Sequence, residues 1–155
     1  MEDTIELILQ TALAQNLNIG SVLELRPLML NNNPVIRNNL QMAFQQLEAD
    51  GIFENVNDLL RLTENGFIHL HGSVENQLEY TKRQIIELAI AQNLNIGSVL
   101  ELRPLMLNND PVIKNNLQMA FQQLETDGIF ENVNDLPCLT ENGFRQIWNL
   151  WVGNR

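Results

Sequence analysis

The chain contains one segment twice, and this duplication constrains its fold more than any other feature of the sequence. Residues Ala14–Phe67 align with Ala91–Phe144 at an offset of 77, and only five of these 54 positions differ. Because a 77-residue period is itself the size of a small domain, we expect two modules that fold alike. We divide the chain into residues 1–73 and 74–155. The differing pairs are Asn33/Asp110, Arg37/Lys114, Ala49/Thr126, Leu60/Pro137 and Arg61/Cys138.

Each copy is organised around one predicted amphipathic helix. Asn33 is a good N-cap, Pro34 suits the first turn, and Gly51 suits the left-handed residue that ends a helix. The apolar residues recur at helical spacing and are expected to be buried; they are Ile36, Leu40, Phe44 and Leu47, with Ala43 beside them. The second copy repeats this helix between Asp110 and Gly128, so Phe121 is expected to be buried as Phe44 is.

Shorter elements are predicted on both sides of this helix. A first helix ends near Asn16, and Ser21 is expected to cap a short second helix that Pro27 kinks or ends. Residues 52–54 and 59–62 are expected to form two strands of a hairpin with a polar tip at residues 55–58. Thr63 is the expected cap of the next helix. The fold class is therefore mainly α with small β-hairpins (α+β).

This order of helices and hairpin, found twice, resembles the winged-helix (winged helix-turn-helix) family. The segments Leu47–Phe53 and Leu62–Gly66 look like the L-E-x-x-G-hydrophobic and L-T-x-x-G motifs of many bacterial regulators. Both recur in the second copy, at Leu124–Phe130 and Leu139–Gly143. The resemblance implies tandem winged-helix domains whose third helix enters the major groove in members that bind DNA. An irregular helical repeat without a wing is the alternative.

Charge and cysteine content restrict the compartment and the class of partner. The formal net charge of −10 disfavours nucleic acid and anionic membranes, whose phosphates it repels. With one cysteine, Cys138, no intramolecular disulfide can form, which is typical of a reducing compartment. The acidic start is wrong for a secretory signal, and no apolar run reaches the roughly 20 residues that span a bilayer. We expect a cytoplasmic protein that does not contact a membrane.

The sequence offers little catalytic chemistry. No serine lies in a Gly-x-Ser-x-Gly elbow, and the glycines occur singly instead of forming a phosphate-binding loop. Cys138 stands where the first copy has Arg61, and both histidines lie in the first copy. On a helix, His69 and His71 diverge too far to share a metal ion. We expect no enzyme activity, no cofactor, no metal site and no small-molecule substrate.

The candidate binding surface is the side of the organising helix that faces away from its apolar stripe. Asn and Gln side chains there can hydrogen-bond to adenine, whereas the Lys and Arg side chains needed for phosphate contacts are few. The exposed Val and Met on the same side favour an adaptable protein contact, unless this side packs against the other module or the helix phase differs. The C-terminal tryptophans are either part of a docked helix or an anchor for a partner. The candidate residues, for protein or DNA, are Val35, Arg37, Asn38, Met42, Gln45, Val112, Lys114, Asn115, Met119, Gln122, Trp148 and Trp151.

Two functions follow from this surface. The favoured one is a non-catalytic protein that binds a protein partner or a second copy of itself, as an adaptor, a regulator or a neutraliser of a basic protein. The alternative is a DNA-binding transcriptional regulator whose two modules read a direct repeat. The scarcity of Lys and Arg favours protein over nucleic acid as the partner.

Overall fold

A computed structural model describes the backbone of residues 2–153 and the side chains of residues 2–149. The chain divides into two compact units, Met1–Ser73 and Val74–Arg155, and each is an α+β unit with one antiparallel hairpin. Unit one contains α1 (Glu2–Ala14), α2 (Arg26–Met29), α3 (Pro34–Ala49), β1 (Phe53–Val56), β2 (Leu59–Leu62) and α4 (Glu64–His71). Unit two contains α5 (Val74–Ala91), α6 (Arg103–Met106), α7 (Pro111–Thr126), β3 (Phe130–Val133), β4 (Leu136–Leu139) and α8 (Glu141–Gly153).

The organising helix begins and ends as its sequence predicts. The Asn33 side chain accepts a hydrogen bond from the Val35 amide at 2.9 Å, and Asp110 accepts from Val112 at the same distance. Pro34 lies in the first turn of α3, where no intrahelical partner for its missing N–H exists. Gly51 follows the helix with a φ of +76°. The predicted cap, proline and terminal glycine are confirmed.

The buried stripe of α3 is rotated slightly from its predicted position. Ile36, Ala43 and Leu47 are buried, whereas Phe44, which we expected in the core, is only half-buried, as is Phe121 in α7. Ala43 is the most completely buried residue of the stripe, at 0% exposure, so the centre of the buried face lies at Ala43 and not at Phe44.

The segment before α2 is extended, which corrects the prediction for Ser21 and Pro27. The Ser21 carbonyl accepts from the Leu62 amide at 3.0 Å, and the Leu23 amide donates to Leu60 at 2.8 Å, so this segment runs beside β2. Ser21 therefore caps no helix. α2 begins only at Arg26, and Pro27 lies at its start, where a fixed φ and a missing N–H favour the first turn.

A tight two-residue turn joins the strands of each hairpin. Val56 pairs with Leu59, and the turn residues Asn57 and Asp58 have φ values of +56° and +63°, as a type I′ turn requires. The hairpin is confirmed, but the polar tip is two residues shorter at its N-terminal side than predicted, because Asn55 and Val56 belong to β1.

The hairpin joins α4 through Thr63 and Gly66. The Thr63 hydroxyl accepts from the Gly66 amide at 2.9 Å, as the predicted cap should, and contacts the Gly51 and Ile52 carbonyls. A Cβ on Gly66 would lie 2.1 Å from the Ile52 carbonyl oxygen, and the same distance separates a Cβ on Gly143 from the oxygen of Ile129. The glycine of each L-T-x-x-G segment is therefore a steric requirement.

We expect Gly66→Ala to destabilise the chain by about 1–3 kcal/mol, the usual effect of overpacking a filled site. Helix propensity alone predicts the opposite sign, since Ala is favoured over Gly within a helix by roughly 1 kcal/mol. Chemical denaturation measures the difference. Asn65→Ala, at the exposed neighbouring position, is the control and should change stability by less than about 0.5 kcal/mol. Stabilisation by Gly66→Ala would contradict the close contact.

Candidate binding surface

The outer face of α3 presents apolar, amide and basic side chains together. Val35 is 60% exposed and Met42 is 59% exposed, and Arg37, Asn38 and Gln45 are exposed as well. The structure thus exposes all five candidate residues of unit one on α3, with Arg37 on the flank and the other four on the outer side.

The corresponding face of α7 matches α3 except at its N-terminal end. Met119 is 52% exposed, and Lys114, Asn115 and Gln122 are exposed, as expected. Val112 is only 4% exposed, so its predicted place on the free face is wrong. The reason lies outside the repeated segment, in the first turns of α5.

Two hydrogen bonds hold the start of α5 over the start of α7. The Asn116 side-chain amide donates to the Gln77 side-chain oxygen Oε1 at 3.1 Å, and both residues are buried. The Tyr80 hydroxyl donates to the Asp110 carboxylate at 2.8 Å. Val112 lies between Asp110 and Asn116 in sequence and is buried at the same end of α7. Helix α1 begins at Glu2, which aligns with Glu79, so it has no described counterpart of residues 74–78.

The face carries little positive charge. Arg37 and Lys114 are exposed, but Arg61, a candidate phosphate contact near the hairpin, donates to the Gly20 carbonyl at 3.1 Å instead. In the second copy its place is taken by Cys138, which is buried. Two further cations pair with carboxylates of their own helix, Lys82 with Glu79 and Arg145 with Glu141.

Further apolar residues are exposed that the sequence argument missed. Met29 and Leu30 at the end of α2, with Met106 and Leu107 in the second copy, are among the most exposed apolar side chains. A four-residue helix can bury few side chains, and in α2 only Leu28 is buried. The sequence did carry a signal for this exposure, because the apolar run is longer than a four-residue helix can bury. Helix α2 contacts α3, so the helix that exposes these residues is a neighbour of the helix that carries the candidate surface.

The aromatic C-terminal stripe divides between core and surface. Phe144 and Ile147 are half-buried and pack against the core of unit two. Trp148 is exposed and borders an apolar cavity of about 420 Å³ between α5 and α8. The side chain of Trp151 lies outside the described residues.

The two histidines of unit one have different surroundings. The His71 ring packs on Phe67 with a centroid separation of 4.5 Å, while His69 is exposed. Among the described side chains, no group of three or more His, Cys, Asp or Glu is arranged to hold a metal ion. Across residues 2–153, no helix has both the length and the apolar character needed to cross a bilayer.

Comparison of the chain with protein-family models, with curated proteins and with solved structures finds no match. Its function is therefore inferred from the surface described above.

The contact between Tyr80 and Asp110 should be visible in a pH titration. The hydrogen bond to the Asp110 carboxylate, followed by partial burial, raises the pKa of Tyr80 above its ordinary value of 10.0. Because the folded-state pKa is raised, the contact stabilises the fold below about pH 10 and is lost as pH rises through the folded-state pKa.

Tyr80 is the only tyrosine, so phenolate absorbance reports it alone. We expect Asp110→Asn to lower its pKa towards the ordinary value, while the N-cap survives because Asn33 caps α3. Asp127→Asn, at the far end of α7, is the control and should leave the titration unchanged. Identical titrations of the parent chain and Asp110→Asn would contradict the contact.

Proposed function

We propose that this chain is a non-catalytic, tandem winged-helix protein of the cytoplasm that acts by binding a protein partner or a second copy of itself. The observation that carries the proposal is the exposed methionine at the centre of the outer face of the third helix in each unit, Met42 and Met119, surrounded by amides.

The arrangement of elements supports the winged-helix part of the proposal. In each unit three helices precede a two-stranded hairpin, and the segment before the second helix pairs with the hairpin. Helix α3 then takes the place of the recognition helix, and the hairpin takes the place of the wing. Asp58 at the hairpin tip gives this wing an acidic end, which suits protein better than phosphate.

The energetics favour protein contact at this face. Burying one Met side chain contributes roughly 1.5–3 kcal/mol, and its flexible thioether adapts to irregular partners. Val35 and the exposed Met29 and Leu30 add apolar area on α2 and α3. Unpaired charge is scarce on the face, so little desolvation opposes binding.

DNA binding is the second candidate, because Asn38 and Gln45 are exposed on the third helix and amides can pair with adenine. Against it, Arg37 is the basic side chain of this helix surface, and the Arg61 guanidinium donates a hydrogen bond to the Gly20 carbonyl. Two or three phosphate contacts per unit in an acidic chain give weak binding that salt removes.

The protein-binding proposal predicts that Met42→Glu and Met119→Glu together weaken association at least tenfold. A buried carboxylate at the centre of an interface has no partner there. Light scattering over a concentration series measures self-association, and co-purification measures a heterologous partner. Asn65→Glu with Asn142→Glu is the control, since it adds the same charge at exposed positions of α4 and α8 and leaves the third helices unchanged. Equal association of both double variants would contradict the proposal.

Titration of labelled genomic duplex fragments separates the two candidates. We expect binding that is weak at low salt and absent near physiological salt, because few phosphates are neutralised. Binding that persists at physiological salt and is lost on Arg37→Ala with Lys114→Ala would favour the DNA-binding regulator.

A further inference from the structure

We infer that unit one associates with a second copy of the chain through the outer side of its hairpin. This surface consists of Val22, Glu54, Val56, Leu59 and Arg61, and we call it the hairpin face. The inference goes beyond the proposed function, which uses the third helices, and it commits to one partner, a copy related by a twofold axis.

The strand register places these five side chains on one side of the hairpin. Residues that pair across antiparallel strands share a side, and successive residues of a strand alternate between the two sides. Glu54 pairs with Arg61 and Val56 with Leu59, while Val22 joins them through an antiparallel bridge to Arg61. Three of the alternate residues are buried on the other side; they are Phe53, Leu60 and Leu62.

The hairpin face is more apolar than folding requires. A sheet with one buried side normally places apolar residues inside and polar residues outside. Here Leu59 is 45% exposed, Val22 is 37% exposed, and Val56 is half-buried. Adjoining exposed apolar residues on a protein surface commonly mark a binding site. The fold of unit one gives these three residues no other use.

The two charges on the hairpin face are opposite and adjacent, yet they do not pair within the chain. Glu54 lies directly across the strands from Arg61. Arg61 donates from Nη1 to the Gly20 carbonyl at 3.1 Å, and among the described residues its Nε has no partner. No ion pair of the described side chains includes Arg61 or Glu54. Because a guanidinium has five N–H donors, Arg61 retains donors for a carboxylate.

A twofold axis makes this face complementary to itself. When two sheets pack about 10 Å apart, an axis along the strands and midway between β1 and β2 sets each residue opposite the cross-strand partner of its counterpart. Arg61 then faces the second copy's Glu54, and Leu59 faces the second copy's Val56. The ion pair forms twice. The hairpin face is thus neutral in a chain whose net charge of −10 otherwise repels a copy of itself.

The aligned surface of unit two has the same apolar residues but lacks the cation. Val133 and Leu136 are 43% and 49% exposed, and Glu131 pairs across the strands with Cys138, which is buried. The same twofold contact would bury Glu131 without a basic partner, and an unpaired buried charge opposes association. We therefore assign the contact to unit one, and the aligned residues of unit two provide matched controls.

Sedimentation equilibrium of the full chain over a concentration series measures the association. We expect the mean mass to rise from one chain towards two, and not beyond, as the concentration increases to about 1 mM, the weak end of the affinity range. Leu59→Asn should raise the dissociation constant about fivefold or more, since it removes apolar contact twice per dimer. Leu136→Asn, the aligned change in unit two, should leave the dissociation constant unchanged.

Charge reversal tests the ion pair separately from the apolar contact. Glu54→Arg should raise the dissociation constant about tenfold or more, because Arg61 then faces an arginine twice. Arg61→Glu should have the same effect, and Cys138 at the aligned position shows that this fold does not require arginine there. Both changes together should recover most of the association, since the pair is restored with its charges exchanged. Glu131→Arg, which changes the net charge as Glu54→Arg does, is the control without effect.

The outcomes separate this inference from the proposed function. A chain that stays monomeric up to about 1 mM overturns the inference, as does a dimer that Glu54→Arg leaves unchanged. Equal losses on Leu59→Asn and Leu136→Asn, or growth beyond a dimer, would exclude the twofold contact of unit one. Self-association lost on Met42→Glu but not on Leu59→Asn would support the proposed function and overturn this inference. Loss on Leu59→Asn alone would support this inference and leave the proposed function to be decided by a heterologous partner.

Discussion

The close contact between a glycine and a carbonyl determines how each unit is assembled. Gly66 lies so near the Ile52 oxygen that no side chain fits, and the Thr63 hydroxyl contacts the Gly51 and Ile52 carbonyls, just after α3, while capping α4. The end of α3, the hairpin and α4 are thereby joined at one point. Gly143 and Thr140 repeat the arrangement in unit two. The face that α3 presents to solvent depends on this fixed exit.

Features that depend on neighbouring residues were predictable from the sequence. The Asn33 cap, the glycine after α3 and the Thr63 cap each follow from a hydrogen bond or a φ value formed within a few residues. The exposure of Met42 and Gln45 also followed, because helical periodicity turns them away from the apolar stripe. In these cases the neighbouring residues were sufficient to predict the structure.

Features set by distant residues were not predictable in the same way. The extended segment at Ser21 pairs with β2, some forty residues later, and this pairing overrides the capping preference of serine. Val112 and Val35 occupy nearly identical local sequences, yet Val112 is buried because Gln77 and its neighbours pack against the second copy. Repeat symmetry assigned both valines to the surface, and the contacts that the first turns of α5 make with Asn116 and Asp110 distinguish them.

This asymmetry bears on how a partner would bind. A partner that contacts only the central methionines meets the same surface twice, because Met42 and Met119 are both exposed. It would bind both units, and its avidity would depend on whether one molecule spans them. A partner that also contacts Val35 meets that valine in unit one alone, since α5 covers Val112. The first turns of α5 thus leave two nearly identical modules with different exposed surfaces at the start of the third helix. Under the proposed function, the number of partners per chain would report which surface a partner uses.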